Sequence, residues 1–341
     1  PELRAYLDAN GVKTAPYDSF YDYVKTIDNS ETVMMNTKVV NYRICCNLPK
    51  DIKLVDCQDP TTLMKAVKNE TELENVRKAH LKDAVAMCKF MYWLKTNVGK
   101  IHMTELSVSK HLAELRAEQE GFLDLSFETI CGFADHGAIV HYAATPETDK
   151  EIRPESFLLV DSGGHYLEGT TDITRTFALG EVTDEMRDMF TRVLRSNVSL
   201  ASARFRQGCC GLNFDILARA PFWDIDMDYN HGTGHGVGYV LNVHEGPNSF
   251  HWKAYPGRSA DSEILPGMIT TDEPGVYLEG KFGIRTENEL VARLGNKNEY
   301  GQFMYFENLT YVPIDLDAVD PALMTEAEKK YLNNYHTEVY K

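Results

Sequence analysis

Four carboxylates set the strongest constraint on how this chain can fold. Asp161 closes the apolar run FLLVD, and Asp172 follows eleven residues later inside GTTDITRTF. Glu273 precedes Pro274-Gly275 in TTDEPGVY, and Glu287 sits beside Arg285 in GIRTENE. Each segment has a β-type composition that favours burial, where an uncompensated charge is costly. A strand, a tight glycine turn and a returning strand would bring Asp161 and Asp172 side by side across a hairpin, facing one point. Taken singly, each carboxylate has a plainer reading: Asp before Ser-Gly and Glu before Pro-Gly form turns, and a strand Glu can face water. As an ordered set with a histidine they make an oxygen-rich field that suits hard divalent ions such as Mn²⁺. Clustered without a cation they would repel one another and raise their own pKa values, so a buried cluster implies a metal.

The histidine comes from HGTGHGVG at residues 231–238, with His244 nine residues after His235. Glycines at this density let backbone approach a ligand closely, and neutral imidazole is a common metal ligand. A glycine-rich turn that happens to carry histidines is the alternative. Four glycines in eight residues argue against the helix of an H-x3-H zinc site, so only one of His231 and His235 need face a metal.

The remaining composition excludes other classes. With 51 acidic against 35 basic side chains the formal charge is -16, which repels a phosphate backbone, so nucleic acid is not an expected partner. No run of about 18 apolar residues offers a membrane span. The seven cysteines are odd in number and contain no C-x-x-C pair, which reads as reduced thiols in a cytoplasmic protein. Asn69, Asn197 and Asn308 each open an N-x-S/T triplet, taken as chance occurrences without a secretory signal.

Periodicity predicts helices over Leu3 to Asn10 and Tyr17 to Ile27, with short strands at Thr32 to Met35 and Asp51 to Asp56. A long helix is expected after Asn69, opened by a capping box of Thr71 and Glu74, and a second over Thr104 to Glu120. Strands are expected at Ala138 to His141, Phe157 to Val160 and Tyr166 to Phe177, then helices over Asp184 to Phe205 and near Leu212 to Arg219. No linker or repeat interrupts residues 69–341, which read as one α+β unit.

DSGGHYLEGTTDITRTF, HGTGHGVG with NVHEGP, LPGMITTDEPGVY, FGIRTENE and LNNYH, in this order, closely resemble the cytosolic-type Xaa-Pro aminopeptidases (aminopeptidase P) among the pita-bread metallopeptidases. The resemblance covers about residues 69–341. It implies an α+β fold with pseudo-two-fold α/β repeats around a curved antiparallel sheet. Residues 1–68 would be the remnant of a middle α/β domain of the creatinase N-terminal type, with a further domain absent before it. It also implies two divalent ions, Mn²⁺ foremost with Zn²⁺ or Co²⁺ as alternatives: Asp161 on one, His235 and Glu273 on the other, Asp172 and Glu287 bridging.

The implied reaction is hydrolysis of the N-terminal Xaa-Pro bond by a hydroxide held between the ions. Glu273 would take the proton, His244 would donate a hydrogen bond to the intermediate or shuttle a proton, and His141 and His231 would shape the proline pocket. Arg285 could pair with a ligand carboxylate and, with Tyr277, orient the ligands, or form a salt bridge without a catalytic part. His80, His102, His111, His136, His165, His251 and His336 are assigned no role. Expected partners are peptides with proline second and a second copy of the chain. The same fold serves prolidase, methionine aminopeptidase and metal-free binding modules, so these remain alternatives. All five ligand positions are kept, whereas Cys131-Gly132 and Thr286 depart from the usual pattern, with local packing and substrate preference expected to change.

Overall fold

The structure is a computed structural model that describes residues 2–240, 242–253 and 262–341. The chain divides into two compact units, one ending at Leu63 and one spanning Met64–Lys341. In the first, α1 (Glu2–Ala9) stops where Gly11 takes a φ of 72°, the left-handed conformation glycine adopts without penalty. The expected second helix is shorter, a 3-10 turn at Tyr17–Ser19 followed by α2 (Phe20–Lys25). Strand β1 (Thr32–Met35) pairs in parallel with β2 (Lys53–Asp56) through α3 (Tyr42–Asn47), a small α/β arrangement. Val24 is the one fully buried apolar side chain of this unit among the described residues.

Helix α4 (Pro60–Ala66) leads to α5 (Glu70–Asn97), whose capping box differs from the expected one. Asn69 accepts from the Glu72 amide and the Glu72 carboxylate accepts from the Asn69 amide, two residues ahead of Thr71 and Glu74. Asparagine wins because its short acceptor reaches the third amide of the helix. Then follow α6 (Glu105–Ala117), β3 (Phe122–Leu125) and β4 (Ile130–Phe133). No strand forms at Ala138 to His141; a 3-10 turn occupies Ala134–Ala138. The chain folds back there so tightly that a Cβ on Gly132 would lie 2.8 Å from the Gly137 backbone, and one on Gly283 would run into the Gly137 carbonyl more closely still.

Strand β5 (Phe157–Ser162) is buried along its whole length between β4 and β8 (Ile173–Ala178). Covered faces on both sides explain its unbroken apolar run. The expected long strand Tyr166 to Phe177 is split into β6 (Gly164–Tyr166), β7 (Gly169–Thr170) and β8, and Asp172 falls in the break before β8. A second pair of helices, α7 (Asp184–Ala201) and α8 (Asp215–Trp223), flanks β9 (Arg204–Arg206), so α7 ends before Phe205. The remaining strands are β10 (Gly234–Val237), β11 (His244–Phe250), β12 (Ile269–Asp272), β13 (Gly275–Leu278), β14 (Phe282–Arg285), β15 (Asn288–Asn298) and β16 (Gly301–Asn308).

Six of the strands form one sheet in the order β11-β10-β12-β15-β16-β9, antiparallel throughout. Helix α9 (Glu326–Tyr340) closes the chain and includes LNNYH. Two helices and an antiparallel sheet thus occur twice. Glu287 is not inside a strand: it sits where the chain crosses from β14 to β15, its amide donating to Thr174 O. The three N-x-S/T asparagines have structural duties, Asn69 as helix cap, Asn197 on Asp272 O and Asn308 on Tyr331 Oη.

Candidate metal centre

Both sheets deliver side chains to one cavity of about 660 Å³. Asp161 arrives on β5 and Asp172 just ahead of β8, which pairs with β5 so that Asp161 lies opposite Thr174. His235 lies on β10, Glu273 follows β12, and Glu287 precedes β15. A bulge in the β10–β11 pairing after His235 brings His244 beside it, with ring centroids 4.3 Å apart.

The donor atoms fall into overlapping sets. One atom each from Asp161, Asp172 and Glu287 lie within 4.8 Å of one another, as do atoms of His235, Glu273 and Glu287, and of Asp172, His235 and His244. Asp172, His235 and Glu287 each belong to two sets, so the three sets form one continuous group of donors. His235 Nδ1 donates to Gly236 O at 3.0 Å, which turns Nε2 toward Asp172 Oδ2 at 3.4 Å and Glu273 Oε1 at 3.8 Å. Such a backbone bond fixes which nitrogen is free to ligate.

The electrostatics suit cations. Asp161 Oδ1 is buried with no hydrogen-bond partner, although Oδ2 accepts from Arg285 Nη2 at 2.6 Å. Burial, then the charges of Asp172, Asp161 and Glu273, push the Glu287 carboxyl well above its ordinary value. Burial raises Asp172 as well, opposed by its bond to His235. Glu273 is pushed up to about 7 by burial, against the pull of His235 and Arg285. Burial works against a charged His235, but the Asp172 hydrogen bond and the neighbouring carboxylates outweigh it and lift the imidazole to about 9. Crowded carboxylates without a cation hold protons more tightly than usual, and donor sets of four carboxylates with His235 and His244 and no thiol fit hard divalent ions.

Around the donors lies a directed chain of hydrogen bonds. Arg285 Nη1 donates to Tyr277 Oη at 2.7 Å, and Tyr277 lies 2.9 Å from His231 Nε2. His231 Nδ1 faces Gly232 O at 2.7 Å, so Nδ1 donates there and Tyr277 donates to Nε2. Burial first, then the nearby Arg285 charge, depresses His231 to about 3, leaving it neutral. His244 is lowered to about 4 by burial and by His235. His141 also lines the cavity and is exposed.

Several contributors carried no signal of their own in the sequence. Thr174 donates to Glu287 Oε2 at 2.7 Å, and the Asp172 amide donates to Glu289 Oε1 at 2.7 Å. Glu289 is fully buried, and its other oxygen faces His80 Nε2 of α5 at 3.3 Å. A second glutamate two residues after Glu287, heading into an apolar run, was the available clue. His136 and Tyr142 both bond to Glu105, which is fully buried at the start of α6. Of the two departures from the usual pattern, Cys131 is buried in the core, its thiol pushed up to about 12 by that burial, and Thr286 is buried beside Glu287.

The model of metallopeptidase family M24 matches residues 74–293, that of its C-terminal region residues 302–341, and that of the creatinase/prolidase N-terminal domain residues 1–72. The chain belongs to the M24 metallopeptidases. It is 37% identical to aminopeptidase P2 of Arabidopsis thaliana, over 99% of this chain and 52% of that protein. It is 36% identical to a probable Xaa-Pro aminopeptidase P of Botryotinia fuckeliana, over 99% of this chain and 53% of that one. The chain thus spans about half the length of the curated relatives it matches.

Among solved structures, an X-prolyl aminopeptidase of Caenorhabditis elegans, titled a cytosolic enzyme with a di-nuclear active site, superposes with a TM-score of 0.91 at 32% identity. That match covers 99% of this chain and 56% of the other. A prolidase of Pyrococcus furiosus at 23% identity and TM-score 0.69 shares the fold. This M24 chain has the pita-bread fold, mixed helices and antiparallel sheets, as the resemblance implied.

Proposed function

We propose that this M24 chain is a dinuclear-metal aminopeptidase that hydrolyses the N-terminal Xaa-Pro bond of peptides. The observation that carries the reading is the pair of donor sets that share Glu287, one completed by Asp161 and Asp172 and the other by His235 and Glu273. The relatives above 30% identity, named for Xaa-Pro or X-prolyl aminopeptidase activity, support the substrate class. In this reading residues 69–341 are the catalytic domain and residues 1–68 belong to a creatinase-type α/β domain. Asp161 serves one ion, His235 and Glu273 the other, and Asp172 and Glu287 both. Manganese is the proposed metal because carboxylate oxygens outnumber the single imidazole. A cytoplasmic homodimer completes the proposal; among the described residues no helix is long and apolar enough to cross a membrane.

When bound, the two cations supply Lewis-acid polarisation and a water of lowered pKa. The chain's residues do the rest. Glu273, beside His235 at the cavity wall, would take a proton on its carboxylate and return it to the leaving nitrogen. His244 is neutral and stands against His235 at the cavity, so its N–H can donate to the carbonyl oxygen as negative charge develops. Arg285 holds Asp161 and Tyr277 together, and Tyr277 holds His231, so the wall beside the carboxylates is fixed before substrate arrives. His141 and His231 bound the space for proline, whose tertiary amide has no N–H and is selected by shape.

A metal-dependent peptide panel tests the reading. Release of arginine from Arg-Pro-Pro with added Mn²⁺ is the expected result. Selective release of methionine from Met-Ala-Ser would make the chain a methionine aminopeptidase, and cleavage limited to Xaa-Pro dipeptides a prolidase. Absence of both bound metal and metal-restored cleavage would favour a binding module. His244→Ala should keep both ions while kcat falls at least tenfold, in keeping with the roughly 10²–10⁴-fold contribution of a proton-transfer group.

A further inference from the structure

The cavity that holds the donor sets is also lined by Glu128, a carboxylate outside every one of those sets. Its place is fixed from both sides. Ser126, two residues before it, donates from its amide to Gly163 O and from Oγ to Thr171 O at 2.9 Å. Ile130, two residues after it, stands opposite Asp161 in the β4–β5 register and itself lines the cavity. Residues 127–129 therefore form a short span tied at each end to the hairpin that carries Asp161 and Asp172. Glu128 is the exposed member of that span, and its side chain makes no hydrogen bond or ion pair among the described residues.

Resting on the Xaa-Pro aminopeptidase reading, the geometry points to Glu128 as a specificity-determining residue that favours a basic side chain, arginine or lysine, at the first position of the peptide. In that reading the positively charged α-amine of a substrate faces the carboxylate donors, Asp161 among them. Two residues of extended chain separate Glu128 from the position opposite Asp161, a span of at most about 7 Å. A lysine or arginine side chain that leaves the donor end of the cavity is long enough to meet the Glu128 carboxylate. With two divalent ions bound, the charges of Asp161, Asp172, Glu273 and Glu287 are balanced. Glu128 is left as an uncompensated anion on the wall. An aliphatic first residue gains nothing from it, and an acidic one is repelled.

The test compares kcat/KM for Arg-Pro-Pro, Leu-Pro-Pro and Glu-Pro-Pro in the manganese-loaded chain and in Glu128→Gln and Glu128→Lys. The native chain should prefer Arg over Leu on the order of fivefold, the scale of an exposed ion pair, and less at high salt. Glu128→Gln should abolish that ratio, and Glu128→Lys should invert the order of Arg-Pro-Pro and Glu-Pro-Pro. An Arg-to-Leu ratio unchanged by either variant overturns the inference. An equal loss for all three peptides overturns it too, because Glu128 would then hold the α-amine. Failure of the native chain to cleave any Xaa-Pro peptide overturns the functional reading itself, and this inference with it.

Discussion

His235 and Glu273 tie the proposed metal chemistry to protons. With His235 at about 9 the metal-free chain keeps its imidazolium at neutral pH, and Glu273 at about 7 is part-protonated. A cation must displace both protons, so its apparent affinity rises as pH goes from 6 to 9. Both folded-state values lie above the ordinary 6.5 and 4.5. The stability they contribute is therefore fully present at low pH and is lost as pH rises through about 7 for Glu273 and about 9 for His235. The melting temperature of the EDTA-treated chain should fall from pH 6 to pH 9, while its gap to the manganese-loaded chain widens. Calorimetry on both forms measures it, and a gap that narrows with pH would contradict the assignment. At this scale the sequence was highly legible: Asp161, Asp172, His235, Glu273 and Glu287 all reach one cavity. Their local words carry the chemistry. Glu289 was not legible, since its partner Asp172 is 117 residues away and no local pattern encodes that meeting.

Between α6 and the cavity stands the 130–142 segment, whose shape depends on one buried side chain. Glu105 accepts from the amides of Phe133 and Lys150, at 2.8 and 3.1 Å, and from Tyr142 Oη at 2.9 Å, with His136 Nδ1 also at 3.0 Å. Tyr142 adjoins His141, so the hub at the helix start sets the direction of a wall residue of the site. Replacing Glu105 by Ala leaves several buried donors unpaired and should cost roughly 2 to 4 kcal/mol. Glu105→Gln, which keeps an acceptor, should lose less and recover much of kcat/KM. Urea unfolding and steady-state kinetics on both variants decide it. Long elements such as α5, α7 and β5 were readable because apolar periodicity is local. The absent strand at Ala138 to His141 was not, because the close approach of Gly137 to Gly283 that bends it joins distant segments.

Across the whole molecule, two helix-and-sheet halves meet along the line where Asp172 and Glu287 interrupt their strands. Asp161 lies on β5 with Asp172 just ahead of its partner β8, whereas His235 lies on β10 with Glu273 just after the neighbouring β12. Between them, Glu287 bonds to Thr174 of the first sheet and opens β15 of the second. The divalent ions would therefore act as rivets through a seam. Chelation should loosen both sides at once: amide exchange in β5, β8, β12 and β15 should quicken together on EDTA treatment. A loss of protection on one sheet alone would mean that the halves are fastened without the ions. The strand breaks at Asp172 and Glu287 would then be more than interruptions of regular structure, since a carboxylate released from its ladder can be shared by two layers and make cation uptake a late act of assembly.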